Sequence, residues 1–421
     1  MTITDRVLER VDRAAVVELA SDLVRIPSFK PDETPVARYL AGFFGSRGYQ
    51  VELQEVEPGR FQTVATLEGS GGGPSLMLNG HIDINSLGMR WRRDPWTPTV
   101  EGDRLYGHGV QNMKGGLASV VMAAEALRLS RTRLKGDLVV ACVVGETQGG
   151  EGTKHLVDTG LRTDMAVVAE PFGLGNLVTV HAGIVHMAIH AYGVTGHMAR
   201  SDHTVHAVRN MSRIMDTLER VEFTCTPRSD MPALPKLNVG SIIGGRGREY
   251  VLVEPPYVPD LCTIIVDVHF LPGQTVEGIV ADIRRALDPL ADADPDLRYE
   301  IEIPPPDSFR GRRRLVMDPL DVPQDEYIVQ AVARSHERVT GRPPSSIGAI
   351  IPDSYSANDT CHLWKAGIPC LIYGPTVGRG TRDEDDSYVV ISDMVECTKV
   401  LAITALEVCS SDRARDGAGT T

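Results

Sequence analysis

The chain has no apolar run near the roughly 20 residues needed to cross a bilayer, no excess of Lys and Arg over Asp and Glu (43 against 56), and no cysteines at paired spacing. Each absence excludes a class of protein. Without an apolar span, a membrane-embedded protein is not expected. A formal net charge of −13 argues against a nucleic-acid partner, because phosphate recognition needs concentrated positive charge. Seven scattered cysteines, an odd number, fit reduced thiols better than a disulfide framework. The opening MTITDRVLERVDR is charged and has no apolar core, so no secretory signal is expected and a cytoplasmic location is.

At 421 residues the chain is too long for one compact core, and two or three domains are expected. Val16, Leu19, Leu23 and Val24 recur at helical spacing. YQVELQEV and FQTVATLEG alternate as strands. GSGGGP at 69–74 leads into the strand SLMLNGHID rather than a helix, so it is not read as a phosphate loop. Asn112 to about Ser130 reads as a helix, and DLVVACVVGE and MAVVAEP are continuous apolar runs that end in an acid. Buried strands alternating with helices imply an α/β domain with a mainly parallel sheet. Chemistry in such sheets tends to lie beyond the carboxyl ends of the strands. His81, Asp83, Glu146 and Glu170 all fall at such ends. From about 184 the texture changes to alternating strands and amphipathic helices, and after 303 it returns to α/β. The expected architecture is therefore an α/β domain at 1–183 and 304–421, interrupted by an α+β sandwich at 184–303.

Six segments carry the residues with chemistry. They are NGHIDIN at 79–85, WRRDPWTPTVEGDRLYGHGVQNMKGG at 91–116, VVGETQGGEG at 143–152, AEP at 169–171, GVTGHMARSD at 193–202 and NDTCHLWKAGIPCLIYGP at 358–375. A neutral imidazole such as His81 is a good zinc ligand, and a carboxylate two residues on can hold the ring. Alone, His-x-Asp fits a hydrogen-bonded structural histidine better.

In order and spacing these segments resemble the metallohydrolase family of acetylornithine deacetylase, succinyl-diaminopimelate desuccinylase, aminoacylase and the glutamate carboxypeptidases. The resemblance runs from about residue 16 to about 406. It implies a catalytic domain with a lid or dimerisation domain, a site in the cleft between them, and a homodimer through the small domain. It gives His81 and Glu170 as ligands of one metal, Asp83 as the carboxylate behind the histidine, and Glu146 as the general base. His197 matches a histidine that steadies the oxyanion, and Asn238 a residue near the substrate. The sequence departs from the family at several positions. Asn112 stands where an aspartate bridges two metals, and Thr147 where a second glutamate binds. No histidine follows His362, so Asp383 is the nearest candidate for the last ligand. His269 replaces a substrate-binding arginine, Cys361 stands near another, and His108 occupies a further arginine position.

Charge limits what this set can hold. An amide is a neutral, one-atom donor and cannot bridge two cations, so one divalent metal, zinc, or none is expected. The expected substrate is an N-acyl amino acid or a small peptide, cleaved at its amide bond by a single-metal hydrolase. Two other outcomes stay open: a non-hydrolytic enzyme of amide formation, cyclisation or elimination, and a binding protein. Bland readings also stand beside the functional ones: Glu146 as a capping carboxylate, His197 as a surface loop residue, Cys361 as core and DEDD at 383–386 as a solvated loop. His186 and His190 read as a partly buried polar strand face.

Overall fold

The computed structural model describes residues 1–88, 91, 93–251, 254–306, 316–378 and 387–412. Asp383, with Asp385 and Asp386, lies outside the described residues. The chain forms two units: Met1–Val180 with Leu320–Ser354 and Asn358–Thr421, and His181–Pro319 with Tyr355–Ala357. The second takes in more than the span 184–303 expected from texture.

The first unit is built on an eight-stranded sheet. Across it the strands run Gln50–Glu57, Arg60–Leu67, Leu138–Val143, Leu76–His81, Met165–Val168, Cys370–Ile372, Asn176–Val178 and Ser346–Gly348. The four central strands from Leu138–Val143 to Cys370–Ile372 are mutually parallel, and Gln50–Glu57 and Arg60–Leu67 add antiparallel on one side. The central strands are buried on both faces, which is why they read as unbroken apolar runs. Helix Gly115–Leu129 packs on Leu76–His81 and against helix Ile391–Ser410. It is buried from Gly115 to Leu127, so its sequence of Ala, Gly, Val and Met shows little amphipathicity.

The helix expected from Asn112 begins instead at Gly115. Val110–Lys114 forms a wide turn in which Asn112 (φ −160°) and Met113 (φ −129°) leave helical geometry. The turn is entered through Gly109 at φ +79°, where a Cβ would come within 2.4 Å of Ile84; only glycine fits. Lys114, fully buried, donates at 2.8 Å to the carbonyls of both Leu23 and Ile26. It thereby ties this turn to the C-terminal end of helix Arg13–Arg25, where a cation is favoured.

The second unit is an antiparallel four-stranded sheet in the order Lys236–Gly245, Leu261–Phe270, Gly183–Tyr192, Arg298–Glu302. Val185, Met187, Ile264, Val266 and Val268 pack with helices Ala207–Leu218 and Val276–Ala293. The alternate residues, among them His186, His190, Asp267 and His269, form a polar face. Tyr355 belongs here because its carbonyl accepts from His269 Nδ1 and its ring lies 4.9 Å from the Lys236 ammonium. Among the described residues no helix is long and apolar enough to cross a membrane, and all seven cysteines are free.

Candidate functional site

Strand register brings the site together. His81 ends its strand level with Val143 on one neighbour, and Asn79 pairs with Val168 on the other. Those neighbours run on within three residues into Glu146 and Glu170. Three parallel strands thus deliver an imidazole and two carboxylates to one edge. Single ligand atoms of His81, Glu146 and Glu170 all lie within 4.8 Å of one another, the one such buried group among the described residues.

The ring of His81 is fully buried. Its Nδ1 lies 2.9 Å from the carbonyl of Asp83 and 3.4 Å from the Asp83 carboxylate. A carbonyl only accepts, so Nδ1 carries the proton and the neutral ring turns the lone pair of Nε2 the other way. That lone pair meets two more acceptors, Asn112 Oδ1 at 3.1 Å and Glu170 Oε1 at 3.4 Å. Three lone pairs converge with no proton between them unless the ring is charged. Burial pushes His81 down, but Asp83 and Glu170 outweigh it and hold the ring well above its ordinary range. A cation satisfies the same demand. Donors at 2.0–2.2 Å around one tetrahedral ion stand roughly 3.3–3.6 Å apart, close to the separations found here.

Glu146 opens a short 3-10 turn, Glu146–Gln148, after Gly145 at φ +68°. Two clamps hold that turn. Asp83 accepts from Glu146 N at 3.0 Å, Thr147 N at 3.2 Å and Thr147 Oγ1 at 2.6 Å. Burial alone would raise Asp83, yet His81 and the Thr147 donors hold it well below the usual carboxylate range. The Thr147 hydroxyl is therefore turned onto Asp83. From the other side the buried Arg60 guanidinium donates to Gln148 at 2.9 Å and Glu151 at 2.6 Å, and to Glu33 at 2.9 Å. A Cβ on Gly145 would stand 2.9 Å from both Arg60 and Glu151, so this turn too requires glycine.

Asp359 is a member of the site that the motifs above do not single out. It is 1% exposed, and neither carboxylate oxygen has a hydrogen-bond partner. Burial first, then the Glu146 charge, push it well above its ordinary value, with Asp83 and Glu170 acting in the same direction. Its position just before helix Thr360–Lys365, in a segment of buried polar residues, was the available signal. Cys361 is buried on the same helix.

The remaining candidates belong to the second unit or elsewhere in the first. His197 is exposed, and its Nδ1 accepts from Ala199 N at 3.2 Å. Asn238 is exposed on the strand Lys236–Gly245, opposite Asp267. His269 meets two acceptors, Asp267 Oδ2 at 3.1 Å and the Tyr355 carbonyl. Only the charged ring can donate to both at once, and such a ring would put a cation at the position where the resemblance has arginine. Asp267, also 3.2 Å from His186, is held low by these two histidines although burial opposes it. His190 bonds Thr263 at 2.8 Å and lies 3.1 Å from Glu302. His108 donates to the Asn85 carbonyl at 2.8 Å and sits among Phe29, Trp91 and Trp96.

Peptidase family M20/M25/M40 matches residues 77–407. N-formyl-4-amino-5-aminomethyl-2-methylpyrimidine deformylase of Bacillus subtilis (strain 168) is 28% identical, over 94% of this chain and 95% of its own length. Acetylornithine deacetylase of Pectobacterium carotovorum subsp. carotovorum is 30% identical, over 69% of this chain and 76% of its own. Among solved structures, the dipeptidase Dug1p of Saccharomyces cerevisiae superposes with a TM-score of 0.74 at 13% identity, covering 98% of this chain and 100% of its own.

Proposed function

The chain belongs to peptidase family M20/M25/M40 and is one of its amidohydrolases; from that premise we propose that it hydrolyses the amide bond of a small N-acyl amine with one divalent ion, zinc, held by His81, Glu170 and Asn112. The observation that carries this is the convergence of three lone pairs, His81 Nε2, Asn112 Oδ1 and Glu170 Oε1, beside the carboxylate of Glu146. The relative named for removing a formyl group from an aminomethylpyrimidine aligns over nearly its whole length. That supports an N-formyl or similarly short acyl group as the part removed.

A bound divalent ion would supply Lewis acidity, polarising the acyl carbonyl and making water acidic. The protein does the rest. Asp83 fixes the Nδ1 proton of His81 and so keeps Nε2 available as a donor. Asp83 also holds the backbone of Glu146, so ring and base are set by one carboxylate. Glu146 takes a proton from the attacking water at a carboxylate oxygen and delivers it to the departing amine nitrogen. Thr147, whose hydroxyl donates to Asp83, is neutral and offers a second ion no anionic ligand.

Purified protein equilibrated with zinc is expected to release amine from N-formyl and N-acetyl amines, and to stop after exhaustive chelation. Turnover that survives chelation would sink this reading. It would favour the non-hydrolytic alternative, for which Asn112 in place of a bridging carboxylate is the motivating feature.

A homodimer through the second unit is proposed as well. The strand Lys236–Gly245 is an edge strand, and it exposes Ile242 (50%) and Ile243 (36%). An open apolar edge is a template for pairing with another chain. Light scattering after size exclusion is expected to give a dimer for the wild type and a monomer for Ile242→Lys. A wild-type monomer would refute the proposal.

A further inference from the structure

The pocket around His81 holds more buried carboxyl groups than hydrolysis uses. Asp83, Glu146, Glu170 and Asp359 are buried there around the imidazole of His81. Three of the four carboxylates have an occupation. Asp83 receives three hydrogen bonds from Glu146 and Thr147. Glu170 faces His81 Nε2. Glu146 is the group placed to move a proton.

Asp359 has no such occupation. Both of its oxygens are buried without a hydrogen-bond partner, whereas buried carboxylates are normally paired or bound to a cation. Its carboxylate is turned toward the Glu146 loop, because a Cβ on Gly150 would come within 2.8 Å of Asp359 Oδ1. Among the described residues, the two buried cations of this unit are committed elsewhere: Lys114 to the carbonyls of Leu23 and Ile26, and Arg60 to Glu33, Glu57, Glu151 and Gln148. Next in the chain come the uncharged Thr360 and Cys361, and then His362, whose Nε2 donates to the Gly149 carbonyl at 2.7 Å. A buried, unpartnered carboxyl group in a negative pocket gains most from a cationic N–H donor, which favours its charged form, and repels a carboxylate.

We propose that Asp359 is a specificity-determining residue that accepts hydrogen bonds from a basic, N–H-bearing group on the amine half of the substrate, such as an ammonium or amidine-like nitrogen. The proposal rests on the amide-hydrolase reading for its choice of substrate half. It places substrates with a free carboxylate on that half at a disadvantage.

The test uses three non-hydrolysable N-methanesulfonyl benzylamines that differ only in the para group: amidine, carboxamide or carboxylate. Each is titrated calorimetrically into the full-length, zinc-equilibrated protein. The amidine is expected to bind at least about tenfold more tightly than the carboxamide, the scale of one charge-assisted hydrogen bond. The carboxylate is expected to bind weakest. In Asp359→Asn, with unchanged zinc content and melting temperature, the amidine preference is expected to vanish. Wild-type protein that binds amidine and carboxamide alike overturns the proposal, however the variant behaves. So does a preference that persists undiminished in Asp359→Asn. The corresponding N-formyl amines separate this from the hydrolase reading. If none is cleaved but the amidine preference stands, hydrolysis fails and the role of Asp359 survives. If all three are cleaved with equal kcat/KM and bind equally, hydrolysis stands and this proposal falls.

Discussion

Glu146→Gln is expected to lower kcat by about 10²- to 10⁴-fold, the usual contribution of a positioned general base, with little change in KM or zinc content. The substitution is close to isosteric. The backbone N–H of residue 146 would still donate to Asp83, and Arg60 would still hold Gln148 and Glu151. The turn is thus kept and only the ability to accept and return a proton is removed. Initial rates on an N-formyl amine, with elemental analysis of the same sample, check the prediction. A decrease below about threefold would remove Glu146 from the proton path, since even a modest general base contributes more than that. Loss of the ion together with activity would instead make Glu146 a ligand, a role its place in the His81–Glu146–Glu170 group allows.

The positions of His81, Glu146 and Glu170 could be read from the sequence because each follows a buried apolar run, and parallel pairing then sets the runs side by side. That information is local and survives without coordinates. The Asn112 turn could not be read this way. Its residues fit a helix by composition, and only the fit of Gly109 against Ile84 and of Lys114 against helix Arg13–Arg25 shows why helical geometry starts later. The Arg60 clamp joins residues 91 apart in the chain, and the orphaned state of Asp359 is a property of its surroundings. Neither leaves a periodic signature. His269 shows the same limit. In the sequence it is a bare substitution for arginine, whereas the fold sets it against two acceptors, the Asp267 carboxylate and the Tyr355 carbonyl. The alternation that identified the polar strand face of His186 and His190 needed nothing beyond a period of two.

His81→Ala is expected to abolish zinc binding and, with it, turnover; the wild-type protein is expected to hold about one zinc per chain, as a site with one open tetrahedral position does. Loss of an outer partner of a metal site costs about 10- to 100-fold in affinity or activity, and loss of the ligand itself should cost more. The stoichiometry follows from the groups available. Asn112 offers one neutral oxygen where bridging needs a carboxylate, and Thr147 offers only a neutral hydroxyl, already donating to Asp83. A second ion would therefore lack both its bridge and one anionic ligand. Elemental mass spectrometry after zinc equilibration and removal of loose ions checks this directly. Two ions per chain would mean that residues beyond those described complete a second site, with Asp383 the first to substitute. No ion in the wild type would remove Lewis acidity from the mechanism. Glu146 and Asp359 would then remain as two buried carboxylates around a charged His81, an arrangement suited to proton transfer without hydrolysis.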